Sequence, residues 1–182
     1  MQRLPIYKAL AWLNALPEDT ARDVLLDCCG SPAWAVRMES ERPYRMLEDL
    51  FQKSEAVWFS LPPSDWLEAF SAHPAIGSSK QTERPSRSSE WSAREQSGTA
   101  SADTSTLNAL AEANRLYREK FGFIFIVCAT GRSAGEMLQM CRSRMRNSLK
   151  NEIEIAAREQ HKITELRLTK LLEYERNYDT CS

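Results

Sequence analysis

Histidine is scarce in this chain: His73 and His161 are the only two in 182 residues. Cysteine occurs five times, at Cys28, Cys29, Cys128, Cys141 and Cys181, an odd number with no CxxC pair. Two imidazoles and scattered thiols undersupply a zinc site, so no metal is expected. Reduced thiols, rather than a disulfide framework, fit a cytoplasmic chain. Long apolar runs are also lacking. The longest, "FGFIFIVCA" from Phe121 to Ala129, falls well short of the roughly 20 residues that cross a bilayer. The first residues, "MQRLPIYKAL", lack the apolar centre and cleavage site of a signal peptide. Neither sign of charge dominates: 24 Lys and Arg against 25 Asp and Glu leave a net charge of −1. That balance offers no electrostatic footprint for nucleic acid or an anionic membrane.

What the chain does have is helical periodicity, and 42% hydrophobic residues to build a core. Leu4 to Leu16 carries one apolar side and stops before Pro17. Pro17-Glu18-Asp19 reads as a first helical turn, and Gly30 as the stop. Ser31-Pro32 repeats cap-then-proline for the next helix. After Pro43, a stripe of Met46, Leu47, Leu50, Phe51, Val57 and Trp58 marks another, and Ser64-Asp65 suit the cap of "WLEAFSA". Residues 78–90, "SSKQTERPSRSSE", lack large apolar groups and read as a polar loop. A short helix about "WSAREQSG", a long one from about Thr106 to Lys120, and two helices broken near Asn147 to Asn151 complete the pattern. "FIFIV" would suit a strand but has no second strand to pair with, so a buried connector or helix turn is preferred. The expectation is an all-α, single-domain bundle of roughly eight helices over residues 1–182, without a substantial sheet.

Four places offer chemistry, each with a plainer alternative. His73 ends a helix, where an imidazole serves as a cap. Pro74, however, biases His73 out of the helix and sets it on a constrained corner, which suits general acid–base work. Ser92, Glu95 and Gln96 share a helical face as hydroxyl, carboxylate and carboxamide; alternatively, Ser92 and Glu95 form a capping box. The rings of Phe121, Phe123 and Phe125 suit core packing, while Gly122 lets backbone come close to a ligand. Arg167 borders the stripe of Ile163, Leu166 and Leu171, either snorkelling at its edge, the plainer reading, or pairing with an anion.

The motifs "CCGSPAWAVRMESERPY", "AHPAIG", "SAREQSG", "ANRLYREKFGFIFIVCATG" and "ITELRLTKLL" follow one another in order along most of the chain. In them it resembles the OHCU decarboxylase family, which acts on 2-oxo-4-hydroxy-4-carboxy-5-ureidoimidazoline in urate degradation. The resemblance implies an all-α, cofactor-free, commonly homodimeric enzyme that releases CO2 and leaves (S)-allantoin. It implies catalysis by His73 with Glu95 beside it. It also implies substrate binding by Pro74, Ser92, Gln96, the backbone of Phe121, Gly122, Phe123, Ile124 and Phe125, and Arg167. One departure stands out: the family's "FGFPF" has Ile124 in place of its proline, which adds an amide hydrogen and frees φ. The competing expectations are a non-catalytic helical interaction module and an acid–base enzyme acting on a related hydantoin or ureide.

Overall fold

A computed structural model describes residues 6–74, 87–95 and 102–178. Among these are nine helices and no strand: α1 (Ile6–Ala15), α2 (Glu18–Cys29), α3 (Pro32–Ser40), α4 (Leu47–Phe59), α5 (Pro63–Ser71), α6 (Arg87–Glu95), α7 (Thr104–Phe121), α8 (Ala134–Arg144) and α9 (Leu149–Tyr178). The boundaries follow local chemistry. Glu18 and Asp19 occupy the first turn of α2, and Gly30 closes it at φ 80° with its amide donating to Leu26 O. The Ser31 hydroxyl accepts from the Trp34 amide at 3.2 Å, with Pro32 as the first residue of α3. Two starts differ from the sequence expectation. Helix α5 begins at Pro63, ahead of the expected Ser64-Asp65 cap, because proline already has a helical φ and loses no needed amide there. Met46, assigned to the stripe of α4, instead precedes that helix in an extended conformation and is 60% exposed.

The described residues fall into two compact units, one from Met1–Trp66 with His161–Ser182, the other from Leu67–Gln160. In the first, Trp34, Leu25, Met38, Leu50 and Leu168 are fully buried. The Trp34 indole donates to Ser54 O at 3.2 Å, tying α3 to α4. Arg42 closes the end of α1, donating to Leu13 O at 3.0 Å and Leu16 O at 2.7 Å. Glu39 holds that guanidinium at 2.9 Å and also pairs with Arg22 at 3.0 Å.

The second unit contains the apolar run. Helix α7 stops at Phe121, and Gly122 takes the left-handed conformation, φ 81°, with its amide on Arg118 O. Residues 124–129 then run without regular structure, although Phe125, Ile126, Val127 and Ala129 are buried. Side chains do for this segment what a neighbouring strand would otherwise do. Asn114 Oδ1 accepts from the Phe125 amide at 3.2 Å, and Glu159 Oε2 accepts from the Cys128 amide at 2.9 Å. Arg144 Nη1 donates to Ile126 O at 2.8 Å, and Arg132 Nε to Cys128 O at 3.1 Å.

Arg144 is itself held by a buried carboxylate. Its Nε lies 2.6 Å from Glu152 Oε1, and Glu152 also accepts from the Tyr117 hydroxyl and, at 2.6 Å, from Asn147 Nδ2. Glu152 has no exposed surface and Arg144 only 7%. Such a pair need not stabilise more than apolar packing would, but breaking it strands a charge. Arg144→Met is therefore expected to lower unfolding stability by about 3–5 kcal/mol, read from the denaturant midpoint. A loss below about 1 kcal/mol, the range of exposed ion pairs, would show that the pair does not organise this unit.

Candidate active site

Helix α5 ends at Ser71. The His73 amide donates to Phe70 O at 3.2 Å, a tight i→i−3 closure. His73 and Pro74 are both half-buried just beyond the helix. This is the corner expected from the His-Pro pair. Its anchor is Phe70, fully buried, whose ring packs on Phe123 at 5.4 Å between centroids. The structure thus brings the His73 corner to the aromatic segment after α7. Ile76 and Gly77, which follow this corner in the sequence, lie outside the described residues.

Helix α6 corrects two expectations. It starts at Arg87, so residues 87–90 of the expected polar loop are helical; the rest of that loop, 78–86, lies outside the described residues. Trp91 explains the earlier start: it is 6% exposed, and burying one large ring lets an otherwise polar turn form around it. Consequently Ser92 lies inside the helix and is not an N-cap, which removes the capping-box reading. Ser92 is 5% exposed and Glu95, three residues on, is half-buried, so the hydroxyl and the carboxylate share one face of the last turn. Gln96, the third member of the expected polar strip, lies outside the described residues.

The rings of Phe121, Phe123 and Phe125 are core, as the plainer reading had it, and all three surround Tyr117 at 4.6, 5.8 and 5.3 Å. The Arg144 guanidinium stacks over Phe125 at 4.7 Å. Gly122 owes its place to its dihedral: beyond its two chain neighbours, nothing among the described residues lies within 4 Å of where a Cβ would stand. Ile124 is half-buried between the two buried rings. Together the segment has fixed rings and a backbone pinned at Phe125, Ile126 and Cys128.

The sequence profile of OHCU decarboxylase matches residues 14–169. The chain belongs to the OHCU decarboxylase family. It is 48% identical over 149 residues to the uric acid degradation bifunctional protein TTL of Arabidopsis thaliana, covering 79% of this chain and 45% of that protein. The chain thus spans under half the length of that relative. It is 30% identical over 141 residues to the mouse 2-oxo-4-hydroxy-4-carboxy-5-ureidoimidazoline decarboxylase, covering 78% and 79% of the two chains. Among solved structures, an OHCU decarboxylase crystallised in the presence of (S)-allantoin superposes with a TM-score of 0.70 at 43% identity, over 81% of this chain and 95% of that one.

Within this OHCU decarboxylase fold, Arg167 belongs to the first unit. It is 3% exposed, so it does not snorkel at the edge of its stripe. Its Nη1 lies 3.5 Å from Asp27 O, in the last turn of α2, where a cation meets the negative helix end. Nearby Cys29 is fully buried, and burial pushes its thiol up to about 12, making it a packing group and not a nucleophile. Sequence reasoning missed Asn114, Glu159 and Arg144, whose partners lie 11, 31 and 18 residues away. A polar residue on a helix gives no sign of which distant backbone group it will meet.

His161 is 8% exposed, edge-on to Phe59 at 5.4 Å, with Nε2 3.5 Å from Glu165. Burial lowers its pKa, opposed more weakly by Glu165 and Glu55. The unfolded imidazole, near about 6.5, therefore takes up its proton more readily than the folded one. Stability is complete above about pH 6.5 and falls as pH drops below it. His161→Gln is expected to flatten the fall in melting temperature between about pH 7 and pH 5. Identical pH slopes in both proteins would mean that His161 is not held neutral by burial.

Proposed function

We propose that this protein is a cofactor-free OHCU decarboxylase that converts 2-oxo-4-hydroxy-4-carboxy-5-ureidoimidazoline to (S)-allantoin and CO2, with residues 1–182 acting as one domain. The observation that carries the reading is the packing of the His73 corner onto the pinned Phe121–Phe125 segment through Phe70 and Phe123. In the substrate, the carbon bearing the carboxylate also bears the 4-hydroxyl and adjoins the ring C=N carbon. When its bond to CO2 breaks, the electron pair forms a C=C bond and the C=N pair moves to nitrogen, which takes a proton from solvent. The resulting enol gives up its hydroxyl proton and gains one on the former C=N carbon, leaving the ring carbonyl of allantoin. The ring is its own electron sink, so the protein has to supply orientation and a proton on one face.

His73 takes the hydroxyl proton and returns one to carbon, a task for a group that titrates near neutrality. Glu95 holds a substrate N–H or orients that imidazole. Pro74, Ser92, Gln96 and the backbone of Phe121, Gly122, Phe123, Ile124 and Phe125 bind the ring and its ureido arm. Arg167 holds a carboxylate or the polar ring edge. Ile124, in place of the family's proline, adds an amide hydrogen to that backbone. The reading extends to a cytoplasmic homodimer. Buried Cys28, Cys29 and Cys141, none of them in a disulfide, suit a reducing compartment, and the family is commonly dimeric.

Purified protein given freshly generated substrate is expected to release CO2 and form allantoin of one hand. His73→Asn should fold normally, since asparagine also serves at a helix end, yet lose about 10²–10⁴-fold in turnover. Glu95→Gln should lose activity as well, and the double variant should be little worse than the worse single one. Full turnover in folded His73→Asn would sink the mechanism.

A further inference from the structure

Asn114 stands on α7, seven residues before its end, and is 6% exposed. Its amide can face the Phe125 N–H only with oxygen, because that backbone group is a donor and the 3.2 Å contact needs an acceptor. The NH2 is thereby turned away from Phe125 while remaining within one amide's width of it. Nδ2 is fully buried and has no hydrogen-bond partner among the described residues. A buried donor left unpaired is uncommon and costly, and each one calls for a reason. Holding the Phe125 amide does not supply that reason, since an acceptor alone would do it.

We infer that Asn114 is a substrate-binding residue, whose NH2 donates to a carbonyl or carboxylate oxygen of the molecule held against Phe121–Phe125. The inference rests on the reading of that backbone as the substrate's seat. One carboxamide then does two things: its oxygen fixes the Phe125 amide, and its nitrogen reads an oxygen on the ligand. An acceptor group on the ligand satisfies the NH2, whereas a donor there would leave two N–H groups facing each other. The residue therefore selects for ring or ureido C=O at that point.

The test uses the full chain and (S)-allantoin, which is uncharged. In a titration of the ¹⁵N-labelled wild-type protein, the backbone amides of residues 121–125 and the side-chain NH2 of Asn114 should shift together. Asn114→Asp keeps the oxygen for Phe125 and removes the donor. It should retain exchange protection at the Phe125 amide while its Kd for allantoin rises on the order of tenfold, the worth of one buried hydrogen bond. If the backbone amides shift while the Asn114 NH2 stays put, or if folded Asn114→Asp binds allantoin as the wild type does, the inference fails and the decarboxylase reading stands. If the wild-type amides of residues 121–125 do not respond at all, the seat is elsewhere and both readings fall. Should Asn114→Asp not fold, the wild-type titration decides alone.

Discussion

The segment after Gly122 is largely buried, irregular and without a strand to pair with among the described residues, and side chains meet its backbone groups at Phe125, Ile126 and Cys128. Asn114, Arg144, Glu159 and Arg132 reach it from α7, α8, α9 and the loop before α8. Arg144 is in turn fixed by Glu152, and Glu152 by Tyr117 and Asn147. A helix or a sheet uses up its own amides and carbonyls. A segment without regular structure leaves its amides and carbonyls to be met by side chains or by a bound molecule, and the proposed binding of substrate to this backbone draws on that. The cost is a set of buried charges whose value depends on every member being present.

The same arrangement accounts for the aromatic cluster. Tyr117 is the centre of Phe121, Phe123 and Phe125 and also donates its hydroxyl to Glu152, so one residue joins the apolar and charged halves of this unit. Burial, with the neighbouring carboxylate, pushes its phenol well above the usual range, so it stays a neutral donor. Phe123 then passes the rigidity on to Phe70 and the end of α5. The His73 corner thus follows a helix end that is anchored by packing on the segment after α7.

Much of this was legible in the sequence because it depends on local rules. Proline starts, glycine stops and the 3.6-residue period located the helices to within a few residues, and the His-Pro corner emerged from the conformational bias that proline imposes. The reading erred where one residue outweighed composition. Trp91 draws a serine-rich turn into α6, and Met46 is left outside α4 because the helix starts a residue later. It was blind to the pinning of residues 125–128, since those partners come together only through tertiary structure. The plainer of the two readings of Arg167, snorkelling, fails for a similar reason: a lone arginine beside an apolar stripe looks the same whether it meets water or a carbonyl of another helix.

The central claim is that the pinned backbone and the His73 corner form one seat for the same small molecule. A crystal structure of this protein with (S)-allantoin tests it most directly. The account predicts allantoin hydrogen-bonded to the backbone of Phe121–Phe125, with the His73 imidazole within about 3.2 Å of the ligand. Allantoin bound elsewhere, or bound to that backbone with His73 facing away from it, would contradict the account.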